Sequence, residues 1–294
     1  MLWAIFSVLA ALSWAIVAIF DKYVLTKFVK NPLIPLIFLG IMSAIASTLV
    51  YFFHGWSDIS TINILVAFAA GISFVCAVLF YLKATKIEEI SRIVPLIYLA
   101  PIFTLLFAGL FLGEVFTLTK YTGIFLLVAG AVVISSKNLV NITLGKAFWL
   151  MLLADVLFSV NYIITKYLLN FADYWTVFSY TRVGIVIAAI PIAYLNFDDL
   201  YSAVCKHGKR AITAFSLDET FRVLGALLVT VAASFGPIAL VNALASVEAF
   251  FVLAFAILLS RFYPKILKEK IGKSTIFLKF IAILLMFLGT ILIS

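Results

Sequence analysis

Three ionisable residues lie deep within apolar stretches of this chain: Asp155, Arg182 and Glu248. A charge at mid-bilayer costs at least about 2.5–3.5 kcal/mol on insertion scales, so each is a candidate for function. Asp155 or Glu248 can bind a substrate amine or carry a coupling proton. Arg182 can bind a substrate carboxylate, or pair with Asp155 or Glu248 as a structural ion pair. Asp155, Ser159, Tyr162 and Lys166 follow a spacing of i, i+4, i+7 and i+11 and therefore share one helix face. A polar stripe is unstable against lipid, which directs this face toward a cavity. Trp14, Tyr98 and Tyr162 are candidate aromatic walls, or ordinary core packing. Asn161, Asn242 and Ser246 offer hydrogen bonds, either to a ligand or across helices. Pro95 and Pro101 permit a bend in the helix that carries Tyr98.

The elements that must position these residues are membrane helices. The chain has 294 residues, 66% hydrophobic and 12% charged. A soluble domain is roughly half apolar and about a quarter charged, so the composition excludes an ordinary soluble fold. The apolar blocks near 2–21, 33–53, 61–82, 92–113, 119–136, 147–168, 174–195, 220–238, 240–260 and 275–294 are each about 20 residues, the length a helix needs to cross a bilayer. The alternation of a β-barrel is absent. Asn31-Pro32 reads as an N-terminal cap, and Ser216-Leu217-Asp218-Glu219 as a capping box before the eighth span. Asp198-Asp199 can open a short interfacial helix that ends near Gly208, with Leu200, Tyr201 and Val204 on its apolar side.

The chain also repeats. Lys22-Tyr23-Val24-Leu25 closes the first span and Lys166-Tyr167-Leu168-Leu169 closes the sixth, 144 positions later; Gly40 and Gly184 keep that offset. Five spans per copy is an odd number, so the second copy enters the membrane inverted. The fold class expected is all-α and integral to the membrane: ten transmembrane helices as two inverted five-helix repeats, residues 1–137 and 146–294. Inverted repeats are characteristic of transporters, with the substrate site near mid-membrane where the repeats meet. The polar content is asymmetric, because the first span carries Ala11, Ala15 and Ala18 where the sixth carries Asp155, Ser159 and Tyr162.

Of the 21 Lys and Arg residues, seventeen follow odd-numbered spans; only Lys120 and Lys166 lie on the other face, with Arg182 and Lys279 inside spans. Basic loops stay cytoplasmic, which predicts both termini outside a plasma or inner membrane. The net charge of +8 thus belongs to the membrane surface and not to a nucleic-acid partner. No His lies within a span and no metal-ligand spacing occurs among the two Cys and two His. An enzyme is disfavoured, and neither a metal nor a cofactor is expected.

The sequence Pro101-Ile102-Phe103-Thr104-Leu105-Leu106, followed by Leu112-Gly113-Glu114, Gly123 and Gly130, resembles the EamA-type domain of the drug/metabolite transporter superfamily. A divergent version runs from Ala245 to Leu253 and closes at Gly289-Thr290-Ile291-Leu292-Ile293, with Ala249 standing where Pro101 stands in the first copy and no second Leu-Gly-Glu. The resemblance implies export or uptake of amino acids or similar metabolites by alternating access. It also implies a central cavity lined by spans 1, 3, 4, 6, 8 and 9. A small-molecule substrate, the lipid bilayer and protons are the expected partners, and a monomer suffices. A carrier of phosphorylated metabolites or nucleotide sugars, which would want several cavity cations, and a passive channel are the alternatives.

Overall fold

The computed structural model describes residues 2–100, 102–103, 106–107, 117–135, 145–236, 241, 244–262 and 272–293. Pro101, Glu114 and Asn242 lie outside the described residues. The described residues form ten α-helices and one 3₁₀ turn: α1 (Leu2–Lys27), α2 (Leu33–His54), α3 (Thr61–Ile87), α4 (Ile90–Leu96) continuing into the turn Ile97–Leu99, α5 (Leu118–Ser135), α6 (Lys146–Leu168), α7 (Tyr174–Leu195), α8 (Phe197–Phe235), α9 (Glu248–Phe262) and α10 (Lys273–Ile293). Each apolar block of the sequence overlaps one of these helices. Six of them, α1, α2, α3, α6, α7 and α10, are each long and apolar enough to cross a membrane. The molecule is an all-helical, multi-pass membrane protein.

Two local readings need correction. Ser216 to Glu219 do not cap a helix. α8 is already helical through them, and its break lies earlier, at Gly208 with φ 56° and ψ −142°. Only glycine takes such a backbone without steric cost. The break separates a short arm, residues 197–207, from a long arm that carries Asp218 and Glu219 into the protein. The short arm does start with Asp198 and Asp199 in its first turn, but Leu200 and Val204 pack against the protein core. At α2 the helix starts one residue after Pro32, and Asn31 Oδ1 accepts from Leu33 N–H at 3.0 Å.

The packing pairs one half of the chain with the other. α1 lies along α8 and α3 along α6; α2 lies along α7, α4 against α9, and α5 along α10. The contacts run in opposite directions along each partner. In α1 and α8, Gly236 meets Trp3 while Gly225 meets Trp14. In α5 and α10, Gly130 meets Ala282 and Met286 while Gly289 meets Gly123 and Leu127. Small residues set these distances, as expected where lipid supplies no hydrophobic drive between helices. A Cβ on Gly184 would collide with the backbone of Phe68, and one on Gly71 with the carbonyl of Thr181, so α3 and α7 touch backbone to backbone.

The two Lys-Tyr motifs have one structural role in common. Lys22 Nζ donates to the carbonyls of Thr85 (2.5 Å) and Glu88 (2.6 Å), at the C-terminal end of α3. Lys166 Nζ donates to the carbonyl of Ala233 (3.3 Å), at the C-terminal end of α8. The last four carbonyls of a helix lack partners within it, and a cation there also meets the negative end of the helix dipole. Each lysine thus ties the first helix of its half to the third.

Asp173 ties a loop end together. Its carboxylate accepts from Trp175 N–H (2.8 Å), Thr176 N–H (3.1 Å), Thr176 Oγ1 (2.8 Å) and Ser57 Oγ (2.8 Å), with His54 Nε2 at 3.3 Å. Partial burial pushes this carboxyl up, but the hydrogen bonds from Thr176, Ser57 and the backbone outweigh it and hold the group below the usual carboxylate range. Its contribution to stability is therefore present above about pH 4, the unfolded value, and is lost as pH falls through the lower folded value. Asp173→Ala removes the cap at a cost of about 1 kcal/mol, read as a lower melting temperature in detergent at neutral pH. The gap between variant and wild type should close on acidification. A gap that widens in acid would contradict this account.

Candidate functional site

The centre of the molecule holds a cavity with an empty volume of about 830 Å³, its open mouth included. Its wall takes Trp14 from α1, Phe74 and Tyr81 from α3, Tyr98 from the 3₁₀ turn, Phe158 and Tyr162 from α6, Arg222 from α8 and Glu248 from α9. These are the six helices that the family resemblance implies. A second space of about 520 Å³ shares Trp14, Phe74, Tyr162 and Val229 with the first and adds Asn161, Thr165 and Arg182. The two chambers share an aromatic wall, with Glu248 on one chamber and Arg182 on the other.

Helix breaks position the acidic end. α4 gives way to a 3₁₀ turn after Pro95, which lacks the N–H for the helix ladder. α9 begins at Glu248, after the turn at residues 246–247. The two breaks meet: Tyr98 Oη lies 2.6 Å from Glu248 Oε2 and 2.8 Å from the Ala245 carbonyl, and its one proton can serve either. Glu248 sits in the first turn of α9, where the helix dipole favours a carboxylate. Ser246 is buried in the turn just before it.

The basic end differs. Arg182 is 4% exposed, its guanidinium carbon lying 4.8 Å from the centre of the Phe178 ring and 5.6 Å from that of Phe74. Its Nε and Nη1 have no hydrogen-bond partner among the described residues. Neither Asp155 nor Glu248 pairs with it among the described residues.

The polar stripe of α6 divides. Tyr162 lines both chambers. Ser159 Oγ lies 2.8 Å from the Ala100 carbonyl and 2.7 Å from that of Asp155, so it serves the helix contact. Asn161 Nδ2 donates to the Ala70 carbonyl of α3 at 2.9 Å. Asp155 is fully buried, neither of its carboxylate oxygens has a donor among the described residues, and it is not part of the wall of either chamber.

Sequence reasoning missed a cluster at the floor of the larger chamber. Arg222 Nη2 donates to Asp21 Oδ1 at 2.6 Å and Nε to Glu219 Oε2 at 3.0 Å, and Asp218 Oδ1 lies 3.6 Å from Nη2. All four side chains are at most 2% exposed. The i, i+3 and i, i+4 spacing of Glu219, Asp218 and Arg222 was the available signal. It was hidden by placing these residues at a helix start, in a basic flank.

Residues 1–136 match the family model described as EamA-like transporter family, and this match, with the apolar helices around an aromatic-walled cavity, supports a membrane transporter in general terms. No curated protein sequence matches the chain. A solved structure described only as "Crystal structure of protein" is similar over 99% of this chain and 95% of its own, with TM-score 0.61 and 15% identity. At that identity the likeness speaks for the fold alone.

The two buried arginines should respond differently to mutation. Arg222→Met strands three carboxylates, and breaking a buried pair costs about 3–5 kcal/mol. Arg182→Met removes ring contacts worth about 0.5–2 kcal/mol and no direct ion pair among the described residues. Melting temperatures in detergent should rank wild type, then Arg182→Met, then Arg222→Met well below. Equal losses would mean that Arg182 also has a carboxylate partner.

Proposed function

We propose that this protein is a secondary transporter of small organic metabolites that carry both an amine and a carboxylate, working by alternating access between two inverted five-helix repeats. The carrying observation is the pair of charged ends on adjoining chambers: Glu248, held by Tyr98, and Arg182, with two unpartnered nitrogens. A substrate amine fits the first and a carboxylate the second, with Trp14, Phe74 and Tyr162 against an apolar side chain. Ser246 remains a candidate in the turn before Glu248, Asp155 and Ser159 remain candidates behind the wall, and Asn242 remains one from the sequence alone.

The packing supports the inverted reading. Exchanging each helix for the one five places along turns the α1–α8 contact into α6–α3 and leaves α2–α7, α4–α9 and α5–α10 unchanged, and all of these contacts occur. A carrier of phosphorylated substrates is less well supported. Lys22 and Lys166 are engaged on helix-end carbonyls, and Arg222 is held by carboxylates.

In proteoliposomes, labelled amino acids and related amphoteric metabolites should accumulate. Arg182→Gln should raise KM for carboxylate-bearing substrates at least tenfold and spare their esters or amides. Transport of nothing in a broad panel would end the proposal. Orientation has its own test, because Cys205 is exposed in the short arm of α8 among basic residues. With Cys76→Ala as background, a membrane-impermeant maleimide should label Cys205 only in permeabilised cells. Labelling of intact cells would reverse the orientation and place the termini inside.

A further inference from the structure

We propose that Asp21 and Asp218 hold one proton between them, forming a proton-binding site that acts on the cavity through Arg222. The coupling to substrate rests on the transporter reading; the proton site itself does not.

The cluster brings three carboxyl groups to one guanidinium. Arg222 satisfies Asp21 Oδ1 and Glu219 Oε2. Among the described residues, Asp21 Oδ2 and both oxygens of Asp218 have no hydrogen-bond partner, although both residues are fully buried. The two carboxyl groups meet at one nitrogen: Arg222 Nη2 lies 2.6 Å from Asp21 Oδ1 and 3.6 Å from Asp218 Oδ1. Two carboxylates can only accept, so as a doubly ionised pair they repel and leave three buried oxygens unsatisfied. One added proton lets one carboxyl donate to the other, as close carboxyl pairs share a proton elsewhere. Among the described residues no group of three or more His, Cys, Asp or Glu side chains is arranged to hold a metal ion, which favours a proton as the occupant.

The surroundings leave this role to the pair. From α3, Tyr81 faces Asp21. Lys22 follows Asp21 in the chain, and its ammonium is on the α3 carbonyls. On α8, Phe215, one turn before Asp218, is stacked on Phe38 of α2 at 4.3 Å. Glu248 of α9 and Arg182 of α7 act on the cluster electrostatically.

Arg222 and Tyr81 are also cavity wall, and this gives the site a route to the substrate. A proton on the pair removes one of the negative charges that compete for Arg222. The guanidinium then offers more of its charge to an anionic group in the cavity. Proton and anionic group therefore bind together, and release of either weakens the other by the same factor.

The test uses the full-length protein in nanodiscs and reads the carboxylic C=O stretching band by infrared spectroscopy as pH is raised from mildly acidic to alkaline. Wild type should lose a protonated-carboxyl component over this range. Asp218→Asn should abolish that component, and Glu219→Gln should keep it. If Asp218→Asn does not fold, Asp21→Asn removes the other half of the pair and should give the same loss. A component that survives in the foldable Asp variant belongs to Asp155 or Glu248 and overturns the proposal. The wild type alone supplies a second readout. The native state binds the extra proton, so its melting temperature should fall as pH rises through release, without dependence on sodium. Stabilisation by sodium with no carboxylic component would replace the proton with a metal cation and also overturn it. None of these readouts needs transport. Loss of the proton site with intact uptake sinks only this inference, and absent uptake with the band retained sinks only the transporter reading.

Discussion

The absence of water inside a bilayer governs this structure. A buried guanidinium needs acceptors in place, and Arg222 finds them in its own helix and in α1. That one group joins the two halves of the chain, because Asp21 belongs to the first repeat and Arg222 to the second. The cost of desolvating four ionisable groups is recovered only while the geometry holds. The cluster is thus a pin through the α1–α8 contact and also the floor of the cavity. The helix breaks obey the same constraint. Backbone that leaves the helical ladder at membrane depth is tolerated where it faces protein or a cavity. Both breaks, after Pro95 and before Glu248, face one another across the chamber.

How much of this could be read in advance follows from what local sequence encodes. Helix positions were legible, since apolar block length and hydrogen-bonding demand leave few options. The glycines Gly40 and Gly184 were legible as a repeat, although not as close contacts with Ala189 and Phe68. Individual deep charges such as Arg182 and Glu248 were visible because no other charged residue stands in their apolar stretches. The Asp21 cluster was not, because its members are 201 residues apart at the widest bond, and each looked like a membrane-edge charge. The placement of Asp218 depended on Gly208, whose break starts the long arm of α8 well before the apolar run begins. On α6, periodicity put Asp155, Ser159 and Tyr162 on one face. It could not say that the face is shared between the cavity, at Tyr162, and the Ala100 contact, at Ser159.

The duplicated Lys-Tyr motif joins these points. Lys22 and Lys166 neutralise the C-terminal carbonyls of α3 and α8, and these two helices are equivalent in the two halves. Under inversion, those helix ends lie at opposite ends of the bundle. The motif is kept in both copies because each copy must hold its third helix to its first, whichever way it faces. The contacts are unequal: two carbonyls at 2.5 and 2.6 Å hold Lys22, and one at 3.3 Å holds Lys166. The cavity polarity is unequal too, with Glu248 and Arg182 both supplied by the second half. The two halves thus share lysine and glycine contacts that fix helix positions, while the charged groups on the cavity walls come from one half alone.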